Sequence, residues 1–405
     1  MKKLTSLLLC VCMALMLCTP AFAAGYTFDN EGVDYQKFKG ENVTINVYNW
    51  GQYMSEGEDD SMNVVKEFEK LTGIKVNYTN FATNEEMYAK LKSGSAKYDV
   101  IFPSDYMAGK MIKEGMITPL DFANIPNFTK YIDPQYTFQS YDPENLYTVP
   151  YTVGYVGLLY NSNIVQKEVK GWDILWDEDY TGDILMFNNS RDAFGIALKE
   201  LGYSMNSTSE RELREAAELL KKQKTVIQAY VMDEIFDKLG SGEAAVAPYY
   251  AGDYFLIAED NPDIVFVYPE EGFNRFIDVA CVPKNCNNRE AAELFINFLC
   301  DPIVALENFN TIGYATPNTA AADMIDDEMA NSPILFPDEE TTKNCEIFVA
   351  QESATTELMQ QLWTEVLSDD QQINEWLIPV FMLACIALSI GINVRRAVKN
   401  RSNKY

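Results

Sequence analysis

Between Val43 and Phe102 the hydrophobic period switches four times between strand-like alternation and helical spacing, and that pattern leaves few folds open. Val43, Ile45 and Val47 alternate with polar or amphipathic neighbours, predicting a strand over 43–49 with one buried face. A helix follows near 61–72, with Met62, Val65, Phe68 and Leu71 on one face and Gly73 as its stop. Strand 74–79, helix 84–93 and strand 98–102 complete the unit. The β-α-β-α-β order predicts an α/β chain with a mostly parallel sheet, whose ligands collect outside the carboxyl ends of the strands. Trp50 and Tyr53 stand at one such end, in "NVYNWGQY". Ser104, Asp105 and Tyr106 stand at another, where Pro103 stops the strand in "DVIFPSDY".

A chain of 405 residues suits two lobes rather than one small core. A second unit starts near "YTVPYTVGYVGLLYN" and runs to about residue 268, with a strand at Asp183–Phe187 and helices at Ser190–Leu201 and around 208–222. The apolar "FNRFIDVACVP" then returns as a buried strand. Residues 41–150 and 270–367 are therefore assigned to lobe 1 with its flanking helices, and 151–269 to lobe 2. Two crossings between lobes imply a hinged cleft. The stretch from Ala354 to about Leu367 carries Leu358, Met359, Leu362, Trp363 and Val366 at helical spacing.

The two ends read differently. Lys2 and Lys3, the apolar run Leu7–Leu17 and Ala21-Phe22-Ala23 match a secretory signal over 1–23, cleaved before Ala24. A lipid-attachment reading at Cys18 is disfavoured by Met16 and Leu17 where small residues are wanted. Residues 376–394 form a second apolar run, long enough to span hydrocarbon. The tail at 395–405 holds Arg395, Arg396, Lys399, Arg401 and Lys404 and no acid. The positive-inside bias therefore predicts a transmembrane helix at 376–394, a cytoplasmic tail and a binding portion outside.

All 60 acids lie between residues 24 and 375, against 25 bases there, a net charge of −35. Such a surface repels nucleic acid and favours cationic partners, although solubility alone also accounts for it. The chain has no histidine, which removes Ser-His-Asp and Cys-His catalysis and the usual zinc ligands. No G-x-S-x-G elbow or P-loop occurs. Cys281, Cys286, Cys300 and Cys345 remain outside the two end segments and allow three pairings. Cys281 and Cys300 sit in apolar runs, as buried small residues do, and no disulfide is required.

Taken in order, "NVYNWGQY", "NEEMYAKLKSG", "YDVIFPSDYMAGKMIKEGMI", "GWDILWDEDYTGDILM", "RDAFGIALKELGYS" and "TIGYATPN" resemble the spermidine/putrescine-binding proteins of bacterial ABC importers. The likeness covers roughly residues 42 to 367. It implies a two-lobed periplasmic-binding-protein type II fold that closes on its ligand, with polyamine, permease and ATPase as partners, no cofactor and no enzymatic activity. It places an aromatic box at Trp50, Tyr53, Tyr106, Tyr250, Phe276 and Tyr314, and carboxylates at Asp192, Asp253 and Asp278. Ser104 matches a polar contact at the cleft edge. Gln52 stands where Asp or Glu is frequent, and Asn189 where spermidine binders carry Asp. These neutral residues predict that putrescine competes better here than in a spermidine binder.

The chemistry agrees. Aromatic faces cover a methylene rod and attract its ammoniums, for about 0.5–2 kcal/mol per good contact. Buried ammoniums also require carboxylates. Plainer roles stay open for several of these residues: a core position for Trp50, a helix-dipole role for Asp192 and a turn for Asp253. Asp278 stands inside an apolar run, where an unpaired acid is costly. Two other functions also fit this reading: the same fold taking another cationic or amino-acid solute, and a surface sensory or adhesive module.

Overall fold

The computed structural model of the chain describes residues 26–58 and 61–369. Its first sheet joins β1 (Thr44–Trp50), β2 (Lys75–Phe81) and β3 (Val100–Ile101), all parallel, with β1 in the centre. Helices α1 (Val64–Thr72) and α2 (Asn84–Ser93) start where Asn63 and Thr83 accept the backbone N–H of Lys66 and Glu86. Helix α3 (Asp105–Lys113) follows β3. The buried face of α1 is rotated from the expected one. Val64, Phe68 and Thr72 are covered, whereas Val65 and Leu71 are half-buried. Strand β1 is covered on both faces rather than one, because crossover helices flank a parallel sheet on each side. Ile45 and Val47 join the core around Phe68, while Tyr48 stacks on Tyr98 at 4.3 Å on the other face.

The second sheet begins with β4 (Val149–Asn161) and β5 (Ile184–Phe187). Helices α4 (Ser190–Glu200) and α5 (Glu210–Gln223) lead to β6 (Ile227–Val231). Then come α6 (Glu234–Gly240), β7 (Val246–Tyr250), α7 (Asp253–Asp260), β8 (Ile264–Val267) and β9 (Asn274–Ala280). After α8 (Arg289–Leu299) and α9 (Pro302–Ile312), the short β10 (Glu346–Ile347) adds an edge. The strand order is β10-β9-β4-β7-β5-β6, with β8 also paired to β4.

Two strands belong to both halves. The first part of β4 pairs antiparallel with β9, and its second part pairs with β7 and β8. Past its end, β9 continues to Cys281, which exchanges backbone bonds of 3.0 Å with Ile101 of the first sheet. Val149 and Ala280 lie in the core of Ile45, Phe68 and Phe295, whereas Leu158 lies in the core of Leu185, Phe194 and Val246.

The last helix, α10 (Ser353–Ser368), packs on α4 and α5, not on the elements of the first core with which the sequence grouped it. Met359, Leu362, Trp363 and Val366 enter the second core, and Trp363 meets Tyr230 edge-on at 5.2 Å. The apolar stripe finds its partner in the groove between two helices that are distant in sequence. Lys224 Nζ holds its carboxyl end through the carbonyls of Val366 and Leu367, each at 2.9 Å. The described chain thus passes between the two cores a third time, after β10. Among the described residues no helix is long and apolar enough to cross a membrane. The signal segment 1–23, the apolar run 376–394 and the tail 395–405 lie outside the described residues.

Glycines set the spacing along β4. A Cβ at Gly154 would sit 2.3 Å from the Phe276 ring opposite, and one at Gly157 would sit 2.2 Å from the Phe266 ring. Each ring lies across bare backbone. Gly157→Ala is expected to destabilise the fold by about 1–3 kcal/mol, the range for overpacking, as read by urea denaturation.

Candidate functional site

The carboxyl ends of β1, β3, β5, β6 and β7 converge on one cleft, with about 750 Å3 of empty space continuous with solvent. The structure brings all twelve residues singled out in the sequence to its walls: Trp50, Gln52, Tyr53, Ser104, Tyr106, Asn189, Asp192, Tyr250, Asp253, Phe276, Asp278 and Tyr314. Strand ends place most of them. Trp50 closes β1 and lies 4.5 Å from Phe81, and Gln52 follows in left-handed backbone (φ 49°). Ser104 begins α3, held by Asn84, whose Oδ1 accepts its N–H and whose Nδ2 donates to its Oγ, both at 3.1 Å.

Each of the three acids expected from sequence is tied to a tyrosine hydroxyl. Tyr53 donates to Asp278 Oδ2 at 2.6 Å and also contacts Thr152 Oγ1 at 2.6 Å. Asp278 Oδ1 is buried with no protein partner. Burial pushes the Asp278 carboxyl up to about 6, against the Ser104 and Tyr53 hydroxyls that hold it down. Tyr250 donates to Asp192 Oδ2 at 3.0 Å. Asn189 caps α4 by accepting the Asp192 N–H at 3.1 Å, and its Nδ2 donates back to the carboxylate. Asp192 is likewise pushed up to about 6 by burial, opposed by Tyr250 and Asn189. Tyr314 donates to Asp253 Oδ2 at 2.8 Å. Burial pushes Asp253 up to about 8; Tyr314 opposes the rise and the nearby charge of Asp233 adds to it. The turn before Asp253 fits against the Tyr314 ring because Gly252 has no Cβ, which would lie 2.3 Å from that ring.

The rings form a continuous wall. Tyr53 meets Tyr314 edge-on at 5.1 Å, Phe276 meets Tyr250 at 5.5 Å, and Phe276 lies 6.1 Å from Tyr314. Tyr106 turns its hydroxyl to Glu85, 3.1 Å away, and its ring to Phe348. Behind these two rings the buried Arg191 guanidinium lies 4.4 Å from Phe348 and 5.6 Å from Tyr106, donating to Asn206 and the Val349 carbonyl. It does not line the cleft. Every ion pair among the described residues lies elsewhere, so the cleft acids have no lysine or arginine partner within 4.0 Å. Among the described residues no cluster is arranged to hold a metal ion.

Asp105, adjacent to the matched Ser104 and Tyr106, takes no part in the cleft wall. It is fully buried, accepts the N–H of Tyr106 at 2.6 Å and of Ile277 at 3.2 Å, and ties α3 to β9. Conversely, the sequence reading missed Asp233, Tyr249, Phe236, Asn274 and Phe348, all of which line the cleft. Asp233 follows the carboxyl end of β6, the same signal that marks Trp50. That strand was not legible because only Val231 in it is fully buried.

Comparison with known proteins follows the same lines. Residues 63–337 match the profile of the bacterial extracellular solute-binding protein family. The spermidine/putrescine-binding periplasmic protein of Escherichia coli is 38% identical over 308 residues, covering 76% of this chain and 86% of that protein. The putrescine-binding periplasmic protein SpuD of Pseudomonas aeruginosa is 28% identical over 346 residues, covering 81% and 93%. Among solved structures, a putative spermidine/putrescine ABC transporter from Listeria monocytogenes superposes with a TM-score of 0.76 at 33% identity, covering 80% of this chain and 99% of its own. The α/β architecture is that of periplasmic solute-binding proteins.

The raised carboxyls have a consequence for stability. A group that binds its proton more tightly folded than unfolded contributes stability below the unfolded carboxylate pKa of about 4 and loses it as pH rises through the folded value. For Asp192 and Asp278 that loss is centred near 6, and for Asp253 near 8. The thermal midpoint of ligand-free protein should therefore fall between pH 5 and 8.5, and Asp253→Asn should flatten the upper part of that decline.

Proposed function

The chain belongs to the family of bacterial extracellular solute-binding proteins, and we propose that its cleft captures a polyamine and delivers it to an ABC permease with its ATPase. The observation that carries this reading is the set of three desolvated carboxylates without a basic partner among the described residues, each held by a tyrosine hydroxyl inside an aromatic wall. Asp192, Asp253 and Asp278 each have a tyrosine of their own, and the rings of those tyrosines connect through Phe276 and through the Tyr53–Tyr314 contact. An ammonium arriving at each one supplies the missing countercharge, and Trp50, Tyr53, Tyr106, Tyr250, Phe276 and Tyr314 cover the intervening methylenes. Gln52, Ser104 and Asn189 contribute uncharged hydrogen-bond acceptors. Putrescine and spermidine are the ligands named for the relatives, and both fit this chemistry.

In the same reading β4 and β9 form the hinge between the lobes, which close around the bound rod. The cleft faces the extracytoplasmic side. The apolar run 376–394 with its basic tail tethers the receptor near its permease as a single membrane span. The Trp376 ring at one interface and Arg395-Arg396 at the other suit that placement.

Isothermal calorimetry should show binding of putrescine or spermidine to the purified binding portion. Asp278→Asn should weaken it by about 2–5 kcal/mol, the scale for removing one partner of a desolvated charge pair, while the fold persists. Unchanged affinity in that variant would remove Asp278 from the site. For the tether, a chain truncated after Asp370 should be released as soluble protein that still binds polyamine, whereas the full chain resists extraction by high salt. Salt extraction of the full chain would end the tether idea.

A further inference from the structure

Strand β9 carries three residues into the cleft. Asn274, Phe276 and Asp278 all line it, whereas the two residues between them do not. Arg275 lies beside the Tyr136 ring, and Ile277 packs with Val153 and Ala108. This is strand alternation, which sets neighbours on one face about 6.7 Å apart along the strand. On the cleft face Phe276 is therefore flanked by Asp278 on one side and Asn274 on the other.

Asn274 and Asp278 share a second property. Both are buried, and each has one side-chain oxygen covered from solvent with no protein hydrogen-bond partner, Asn274 Oδ1 and Asp278 Oδ1. Among the described residues, no other residue lining the cleft has a covered acceptor without a partner. The fold does not need the amide for pairing, because Asn274 stands opposite Glu346 of β10 through backbone alone. A buried acceptor left without a donor costs stability, and an apolar side chain of the same shape would not. A donor brought by the ligand offsets that cost.

We infer that Asn274 is a further binding residue of this site, whose Oδ1 accepts an N–H of the bound amine on the side of Phe276 away from Asp278. An amide oxygen suits that place on two counts. Every N–H of a protonated amine is a donor, and a hydrogen bond from a charged donor is stronger than one between neutral groups. The amide oxygen itself carries no charge, so covering it costs less than covering a fourth carboxylate. The Phe276 ring then lies between two acceptors, against the methylenes that join the nitrogens. The inference rests on the polyamine reading and adds to its residues one that the family resemblance does not mark.

The test is calorimetry with putrescine and with spermidine on the purified full chain and on its Asn274→Leu and Asn274→Asp variants. Asn274→Leu nearly keeps the volume and removes the acceptor. It should raise the Kd of at least one of the two amines about tenfold or more, the scale of a hydrogen bond to a charged group, while the ligand-free thermal midpoint stays level or rises. Asn274→Asp keeps an acceptor in place and should bind that amine within about threefold of the parent, or more tightly. Should Asn274→Leu not fold, Asn274→Ala also lacks the acceptor and carries the same expectation. An unchanged Kd for both amines without the amide, the result if water alone meets Oδ1, would overturn the assignment. An equal loss in Asn274→Leu and Asn274→Asp would overturn it too, because that reports shape rather than the acceptor. If the parent chain binds neither amine while folded, the polyamine reading fails and this inference with it, whereas a parent and an Asn274→Leu variant that bind equally well remove Asn274 alone.

Discussion

The antiparallel ladder between β4 and β9 is the contact on which the rest of this molecule depends. It is the place where backbone from both cores is hydrogen-bonded into one surface, with Thr152 opposite Asp278 and Gly154 opposite Phe276. Strand alternation does the rest: one residue pair on that ladder delivers an acid and its hydroxyl neighbour, and the next but one delivers a ring lying over bare glycine. Because β9 also bonds to β3, the acid is positioned from two sheets at once. A carboxylate held so firmly can be desolvated without finding a basic partner of its own.

Desolvation explains why tyrosine recurs around the cleft. An acid buried among apolar rings needs hydrogen bonds to stay ionisable, but a lysine or arginine would occupy the place of a cationic ligand. A phenol supplies a donor, an apolar face and no charge. Tyr53, Tyr250 and Tyr314 come from three separate segments, and each serves one acid. The site retains unspent electrostatic potential, and the fold bears the associated strain on stability through its two large cores.

Much of the architecture was legible because it is written in local periods. The β-α-β-α-β unit, the β4 run and the apolar stretch containing Asp278 all carry their own hydrophobic signatures, and the strands and helices formed close to where those signatures placed them. The cleft residues matched to the family were also drawn to a single place. What local pattern did not convey was partnership. Strand β6 is too thinly buried to announce itself, so Asp233 at its end went unread. Asp105 looked equivalent to Ser104 and Tyr106 until the backbone of β9 claimed it.

By itself, then, the sequence determined an α/β chain of two cores, an acidic aromatic chemistry without histidine, and which strand ends carry it. Those properties follow from residue type and spacing, which act over a few residues. Tertiary structure decided where the apolar stripe of α10 docks, that the Tyr53 hydroxyl reaches Asp278, and that Asp233 faces the turn after β1. Such outcomes depend on packing between segments more than a hundred residues apart, as between Tyr53 and Asp278 or Gly51 and Asp233, and no local period encodes a contact of that separation.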